Sequence, residues 1–334
     1  MLNALLKLPK IVVLGTGGTI ASSGTVGTQL SDYKVGKGVD ALIAAVPELS
    51  EVAQCEFEQV SNIESYLIGD EVLLKLAGRV NHWLAEPDIA GVVITHGTDT
   101  LEETAYFLNL VVQSEKPVIL VGAMRPSTAI SADGPLNLFH AVVVASHPQS
   151  VGKGVMVVMN DRILAARYVY KGHTTAVDAF VVPEQGSLGA VSGRDVQYFN
   201  QATRIHTARS TLHIDPQCTV LPAVDIVYDY QGAGLHMYEA AMQAGAQGII
   251  LAGTGNGSLS GVARLGANLA ASKGVAFVRA AHVGQGSVRP SVKDGEYNCV
   301  AAQSLNPQKA RILLRLALLK TQDRASLQQI FNTY

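Results

Sequence analysis

Charge is scarce in this chain. Asp, Glu, Lys and Arg make up 16% of its 334 residues, with a formal net charge of −2, against roughly 25% charged residues in an average soluble chain. The basic residues are scattered and form no stripe, so nucleic acid and anionic membrane are excluded as expected partners, and a small molecule is favoured. Cysteine is also rare. Cys55, Cys218 and Cys299 are odd in number, far apart and outside any CxxC pattern, which excludes a disulfide framework and a zinc site. None of the nine histidines, His96 included, falls at a metal-binding spacing. No run approaches about 18 uninterrupted apolar residues, so no membrane-spanning helix is expected. The opening "MLNALLKLPK" lacks both the continuous apolar core and the small-residue cleavage site of a signal peptide. The expected compartment is the cytoplasm for the chain as written, or the periplasm if a signal has been removed.

What is abundant is apolar: 48% of residues, in a chain long enough for one large or two medium domains. Short β-branched runs recur as "KIVVL" (10–14), "GVVIT" (91–95), "PVILV" (117–121), "GVMVVM" (154–159), "VDIVY" (224–228), "GIILA" (248–252) and "VAFVRA" (275–280). Between them, Leu73, Leu76, Val80 and Leu84 keep helical spacing, as do Leu101, Ala105, Leu108 and Val112. Strands apolar on both faces and separated by helices predict a doubly wound α/β class with a parallel sheet. The rhythm breaks after Leu188, where "LGAVSGRDVQYF" reads as a hairpin, and restarts at "LPAVDIVYDY". The expected division is an N-terminal domain over 1–200, a linker over 201–220 and a smaller α/β domain over 221–334.

Ligands of open parallel sheets sit beyond the carboxyl ends of the strands, and here those positions are polar. The first strand leads into Thr16 and Thr19, the second run into His96, Thr98 and Asp99, "GVMVVM" into Asn160, Asp161 and Arg162, and "GIILA" into Thr254, Asn256 and Ser258. The loop "LGTGGTIASSG" (14–24) is no dinucleotide fingerprint. From Gly15 and Gly17 the third glycine would fall on Ile20, and from Gly17 the second would fall on Thr19. There is also no Walker lysine and no GxSxG elbow. What remains is a glycine turn that admits a ligand near Thr19, or a threonine that caps the next turn. Likewise Asp99 and Glu102 fit either a capping box or a carboxylate held beside exposed N–H groups. Lys171 in "RYVYKGHTT" reads either as a surface lysine or as a cation that eases deprotonation of a threonine.

Two motifs together, "TGGTIA" (16–21) and "GVVITHGTDTLEETAYFL" (91–108), strongly resemble the two signatures of the bacterial-type L-asparaginase family. The similarity runs on through "GAMRPSTAISADGPLNL" (122–138), "VMNDRI" (158–163), "AGTGNGS" (252–258), "LNPQKARILLRLAL" (305–318) and "QQIFNTY", and looks like the type II branch, which includes the glutaminase-asparaginases. The resemblance implies a two-domain α/β protein with a parallel-sheet N-terminal domain and a smaller flavodoxin-like C-terminal one. The implied activity is hydrolysis of L-asparagine to L-aspartate and ammonia, with lesser activity on L-glutamine, and needs neither metal nor organic cofactor. Thr19 would be the nucleophile and Tyr33, in "SDYKVGKG", the lid tyrosine that helps activate it. Thr98, Asp99 and Lys171 would form a second hydroxyl–carboxylate–lysine set. Ser65 would hold the substrate α-carboxylate and Asp99 its α-amino group, with Tyr66 and Ala123 at further substrate-binding positions. Asn256 and Ser258 would reach from the C-terminal domain of a neighbouring subunit in a homotetramer, which suits the low charge content.

Two stretches depart from the family pattern. "NIESYLIG" keeps Ser65 but has Tyr66 where an amide or acid usually meets the substrate ammonium, and Glu64 stands beside it. A phenol accepts a hydrogen bond without offering a carboxylate's charge, so α-amino recognition is expected to be retuned and Tyr66→Gln to lower the asparagine KM. "VGQGSVRPSVKDGEYNCV" lacks the glutamate that some members supply across the subunit boundary, a role open to Ser258. Two alternatives stay open on the sequence: an amidase with altered α-amino recognition, and a non-catalytic amino-acid-binding protein on the same scaffold.

Overall fold

The computed structural model describes residues 8–24, 28, 34–36 and 38–334. They fall into two compact units that divide between Ser210 and Thr211.

The first unit is built on one large sheet. Its leading strand, β1 (Lys10–Gly17), is a β-branched run whose Ile11, Val12, Val13 and Leu14 are wholly inaccessible to solvent. The short strands β2 (Ser22–Ser23) and β3 (Lys34–Val35) pair with each other apart from it. The chain then passes through α1 (Val39–Ala44), β4 (Gln54–Ile63), α2 (Asp70–Ala85), β5 (Ile89–Thr95), α3 (Leu101–Val111), β6 (Val118–Val121) and α4 (Gly134–Ser146) to β7 (Val155–Met159). Strands β4, β1, β5, β6 and β7 lie side by side in that order, all parallel. Strand alternation sends Ile11, Val13, Val93, Ile119 and Met156 to one face, where Val39 and Leu42 of α1 and Leu138, Ala141 and Val142 of α4 cover them. Helices α2 and α3 pack against the sheet through β5 and β7, α2 with the predicted stripe of Leu73, Leu76, Val80 and Leu84. Burial on both faces is why these strands read as continuous apolar runs.

The sheet is not parallel throughout. Beyond β7 it continues with β8 (Arg162–Ala165), β11 (Gly189–Ser192) and β12 (Asp195–Tyr198), each antiparallel to its neighbour. The β11–β12 hairpin is the one expected from "LGAVSGRDVQYF". The β7–β8 turn is made by Asn160 and Asp161, both at positive φ (49° and 63°), the geometry of a type I′ hairpin. That turn chemistry accounts for the polar "MND" that followed the fourth apolar run: the two residues close a hairpin. A separate ribbon pairs β9 (Tyr170–Lys171) with β10 (Phe180–Val181).

The second unit is an all-parallel sheet with its strands in sequence order: β13 (Val224–Tyr228), β14 (Gly248–Gly253), β15 (Ala276–Ala281) and β16 (Cys299–Ala301). Helices α5 (His236–Gln243) and α6 (Gly261–Ser272) cover one core face through Tyr238, Ala241, Ala263, Ala267 and Ala270. The short α7 (Val292–Glu296) precedes β16. Helix α8 (Pro307–Leu318) packs on β13, β14 and β15, and α9 (Arg324–Thr333) on β16.

Candidate active site

The site is assembled from three loops at the carboxyl ends of β1, β4 and β5. Leaving β1, Gly17 and Gly18 take φ values of +106° and +84°, a region that only glycine enters cheaply. Space demands glycine as well. A Cβ on Gly18 would lie 2.1 Å from Cα of Gly97, and one on Gly97 would lie 2.8 Å from Ser65 Oγ. The three loops therefore meet backbone to backbone, and the glycines of the opening loop serve contact between loops.

Hydrogen bonds fix the meeting. The Thr16 hydroxyl donates to the Thr95 carbonyl at 2.9 Å, and Ser61 donates to the Thr16 carbonyl at 3.1 Å. The Thr100 hydroxyl donates to the Ser65 carbonyl at 2.8 Å, while Ser65 Oγ accepts from the Thr100 N–H at 3.4 Å. Just after the two glycines, Thr19 starts a single turn (Thr19–Ala21) and is 6% exposed.

Thr98 and Asp99 follow β5 and receive Lys171 from the β9–β10 ribbon. The Lys171 ammonium donates to Thr98 Oγ1 at 2.9 Å and to Asp99 Oδ1 at 2.6 Å. Its backbone N–H donates to Glu102 Oε2 at 2.6 Å. Glu102 thus does not close a capping box with Asp99: Thr100 occupies the N-cap of α3 without a side-chain cap, and the buried Glu102 carboxylate anchors the lysine strand instead. Since the Lys171 ammonium only donates, the Thr98 hydroxyl is an acceptor in this contact, and its own proton is directed elsewhere.

His96 is fully enclosed between these loops. Burial pushes its pKa down to about 4 against the opposing pull of the Gly97 carbonyl, to which Nδ1–H donates at 2.7 Å. It is a neutral brace for the Gly97–Thr98 backbone. Ala123, after β6, is buried, and its Cβ together with Ile20 walls in Gly134. The loop that follows Ala123 folds onto Asp133, whose carboxylate accepts from the Met124 and Arg125 N–H groups at 2.9 and 3.0 Å.

Of the sequence-predicted residues, the first unit gathers Thr19, Ser65, Thr98, Asp99, Lys171 and Ala123 around these loops. Tyr66 is 64% exposed in the single chain, next to the buried Ser65. Glu64 is half-buried, and its carboxyl is pushed above the ordinary range by burial and then by the negative charge of Asp99. Asn256 and Ser258 belong to the second unit, where both are exposed on the loop after β14. Tyr33 lies outside the described residues. Glu102 and Thr100 were not singled out as site residues. The only signal they carry in sequence is their place in "TDTLEE", which reads equally well as helix capping.

Known relatives share this framework along its whole length. Residues 10–204 match the family model described as Asparaginase, N-terminal, and residues 223–331 match the Glutaminase/Asparaginase C-terminal domain. The chain is 52% identical over 328 residues to L-asparaginase 2 of Bacillus subtilis, covering 98% of this chain and 87% of that protein. It is 45% identical over 329 residues to the glutaminase-asparaginase of Acinetobacter glutaminasificans, covering 97% and 99%. The crystal structure of a probable cytoplasmic L-asparaginase from Campylobacter jejuni superposes with a TM-score of 0.95 at 44% identity, covering 98% of this chain and all of that one. With both domain models matched in order and this identity sustained from end to end, the chain belongs to the asparaginase family.

Proposed function

We propose that the protein is an amidohydrolase that converts L-asparagine to L-aspartate and ammonia, with lesser activity on L-glutamine, through a threonine ester. The observation that carries this reading is the Lys171 ammonium shared between Thr98 Oγ1 (2.9 Å) and Asp99 Oδ1 (2.6 Å), on a loop that touches the Thr19 loop at Gly18 and Gly97. The names of the relatives support the same substrate class.

In the proposed reaction, Thr19 Oγ attacks the side-chain amide carbon while its proton is taken up by a neighbouring base. The C–N bond breaks, nitrogen leaves as ammonia carrying that proton, and an acyl-threonine ester remains. Water, activated in turn, attacks the ester carbon; the C–O bond breaks and aspartate leaves. Lysine beside a threonine hydroxyl lowers the cost of a developing alkoxide. Peptide N–H groups where the loops cross offer donors to the tetrahedral oxyanion, each typically worth about 100-fold or more in rate.

Ser65 holds the substrate α-carboxylate and Asp99 its ammonium, with Tyr66 and Ala123 at the margins. Asn256 and Ser258 are supplied by a second copy in a homotetramer, with 201–220 as the connector between domains. Tyr33 assists Thr19. Ammonia release from asparagine and glutamine in the parent and in Thr19→Ala tests the reading. The expected result is loss of turnover by at least about 1000-fold in the variant with unchanged thermal unfolding. Release at the parent rate would remove Thr19 as nucleophile.

A further inference from the structure

Strand β15 reads "AFVRAA", apolar except for Arg279, which stands beside Leu251 of β14 and Ala301 of β16 and is only 6% exposed. Its guanidinium grips the equally buried Asp294 with two prongs, Nε to Oδ1 at 2.6 Å and Nη2 to Oδ2 at 3.0 Å. Two further donors go to main chain: Nη1 to the Gly257 carbonyl at 2.8 Å and Nη2 to the Arg289 carbonyl at 3.1 Å. Asp294 in turn accepts from the Ser291 N–H at 2.7 Å, completing the capping box of α7. One ion pair thus ties together β15, the loop after β14, the segment at Arg289 and the start of α7.

A buried ion pair is a weak source of net stability, because desolvating both charges offsets most of their attraction. What a two-pronged arginine–carboxylate contact supplies is fixed geometry. Here that geometry is delivered to Gly257. The loop is already tight, with the Ser258 N–H donating to the Thr254 carbonyl at 2.9 Å and Gly255 and Gly257 at φ +52° and +60°. A Cβ on Gly257 would lie 2.9 Å from both the Ala280 carbonyl and a Val288 methyl. Gly257 is therefore gripped at its carbonyl by Arg279 and at its Cα by Ala280 and Val288. The residues on either side of it, Asn256 and Ser258, are exposed.

We propose that Arg279 and Asp294 are positioning residues that hold the Gly257 backbone so that Asn256 and Ser258 are presented to the substrate in one orientation. The inference rests on the proposed function, in which those two side chains contact substrate. Arg279 and Asp294 are both buried and act through the Gly257 backbone.

The test is steady-state ammonia release from asparagine by the parent, Arg279→Lys, Asp294→Asn, Asn256→Ala/Ser258→Ala, and the last combined with Arg279→Lys, each with a thermal melt. Lysine keeps the charge but is a single point donor and cannot hold a carboxylate fork and two carbonyls at once. Arg279→Lys and Asp294→Asn should each raise KM on the order of tenfold with kcat within about twofold, the pattern of lost binding common to ground and transition states. In the Asn256→Ala/Ser258→Ala background, Arg279→Lys should change KM no further, because the groups through which it acts are gone. The proposal is overturned if KM is unchanged in both clamp variants, if removing Asn256 and Ser258 leaves KM unchanged, if the changes multiply in the combined variant, or if the clamp variants lose activity only in step with lost folded protein. Failure of the underlying reaction reading looks different: a parent that releases no ammonia, or a Thr19→Ala variant that keeps its rate.

Discussion

Replacing Lys171 by methionine keeps the unbranched stem of the side chain, one atom shorter, and removes one charge from the center of the proposed machinery. The ammonium makes two short bonds, 2.9 Å to Thr98 Oγ1 and 2.6 Å to Asp99 Oδ1, and the lysine side chain is 17% exposed. Hydrogen bonds to charged groups are worth about 1.5–3 kcal/mol each. If only the bond to Thr98 strengthens as charge develops on the hydroxyl, kcat falls by roughly 10- to 100-fold. If the lysine also steers the proton, the loss approaches the 10²–10⁴ typical of general acid–base groups. An overall loss on the order of 1000-fold is expected. Stability should barely move, since Asp99 is 56% exposed and an unpaired carboxylate there regains its water. The assay is kcat and KM for ammonia release, with a melt on the same preparations. The same substitution made in Thr98→Ala should cost little more than Thr98→Ala alone, because groups that act as one unit are not additive. A drop of less than tenfold in folded Lys171→Met, or losses that multiply with Thr98→Ala, would refute the reasoning.

The remaining predictions concern recognition and pH. Because Tyr66 is exposed while Glu64 feels Asp99, Glu64→Gln should raise the asparagine KM several-fold and leave that of a des-amino analogue alone. Tyr66→Gln should then change KM by less than about twofold; a larger fall would return the α-amino contact to position 66. His96 has its pKa lowered from 6.5 to about 4, so the unfolded chain binds a proton more readily than the folded one. Its contribution to stability is therefore present above pH 6.5 and lost as pH falls toward 4. The full loss across that range is about 3 kcal/mol, at about 1.36 kcal/mol for each pH unit. His96→Asn retains a donor for the Gly97 carbonyl but does not titrate. Urea unfolding at pH 7 and pH 4.5 should show a smaller acid loss for the variant than for the parent, and parallel losses would contradict the assignment.

Much of the site was legible because it lies at strand ends, and strand ends are marked by a change of composition. Thr19 follows "IVVL" and Thr98 follows "GVVIT", so each hydroxyl is placed at the carboxyl edge of a buried strand by hydrophobic pattern alone. The same rule leaves Asn160 and Asp161 ambiguous: a type I′ turn also wants short polar residues at positive φ, and composition does not distinguish a tight hairpin from a ligand loop. It also could not show that the sheet turns antiparallel after β7, because buried strands have the same apolar signature in either direction. Glu102 was ambiguous for a related reason. A carboxylate in the first turn of a helix suits the helix whatever else it binds, and its actual partner, the Lys171 N–H, is 69 residues away.

What the sequence by itself determined is what local chemistry dictates: α/β strands and helices from apolar periodicity, the absence of a dinucleotide cradle from Ile20, and the two threonine motifs that carry the family resemblance. Only the tertiary structure decided which distant groups share a hydrogen bond. It brought Lys171 to Thr98 and Asp99, set Glu64 within reach of the Asp99 charge while leaving Tyr66 exposed, and joined Arg279 to Asp294 beneath Gly257. The physical reason is range. Helix and strand periodicities are set by neighbours a few residues apart, whereas a charge is placed by the packing of whole elements, whose register no single stretch of sequence records.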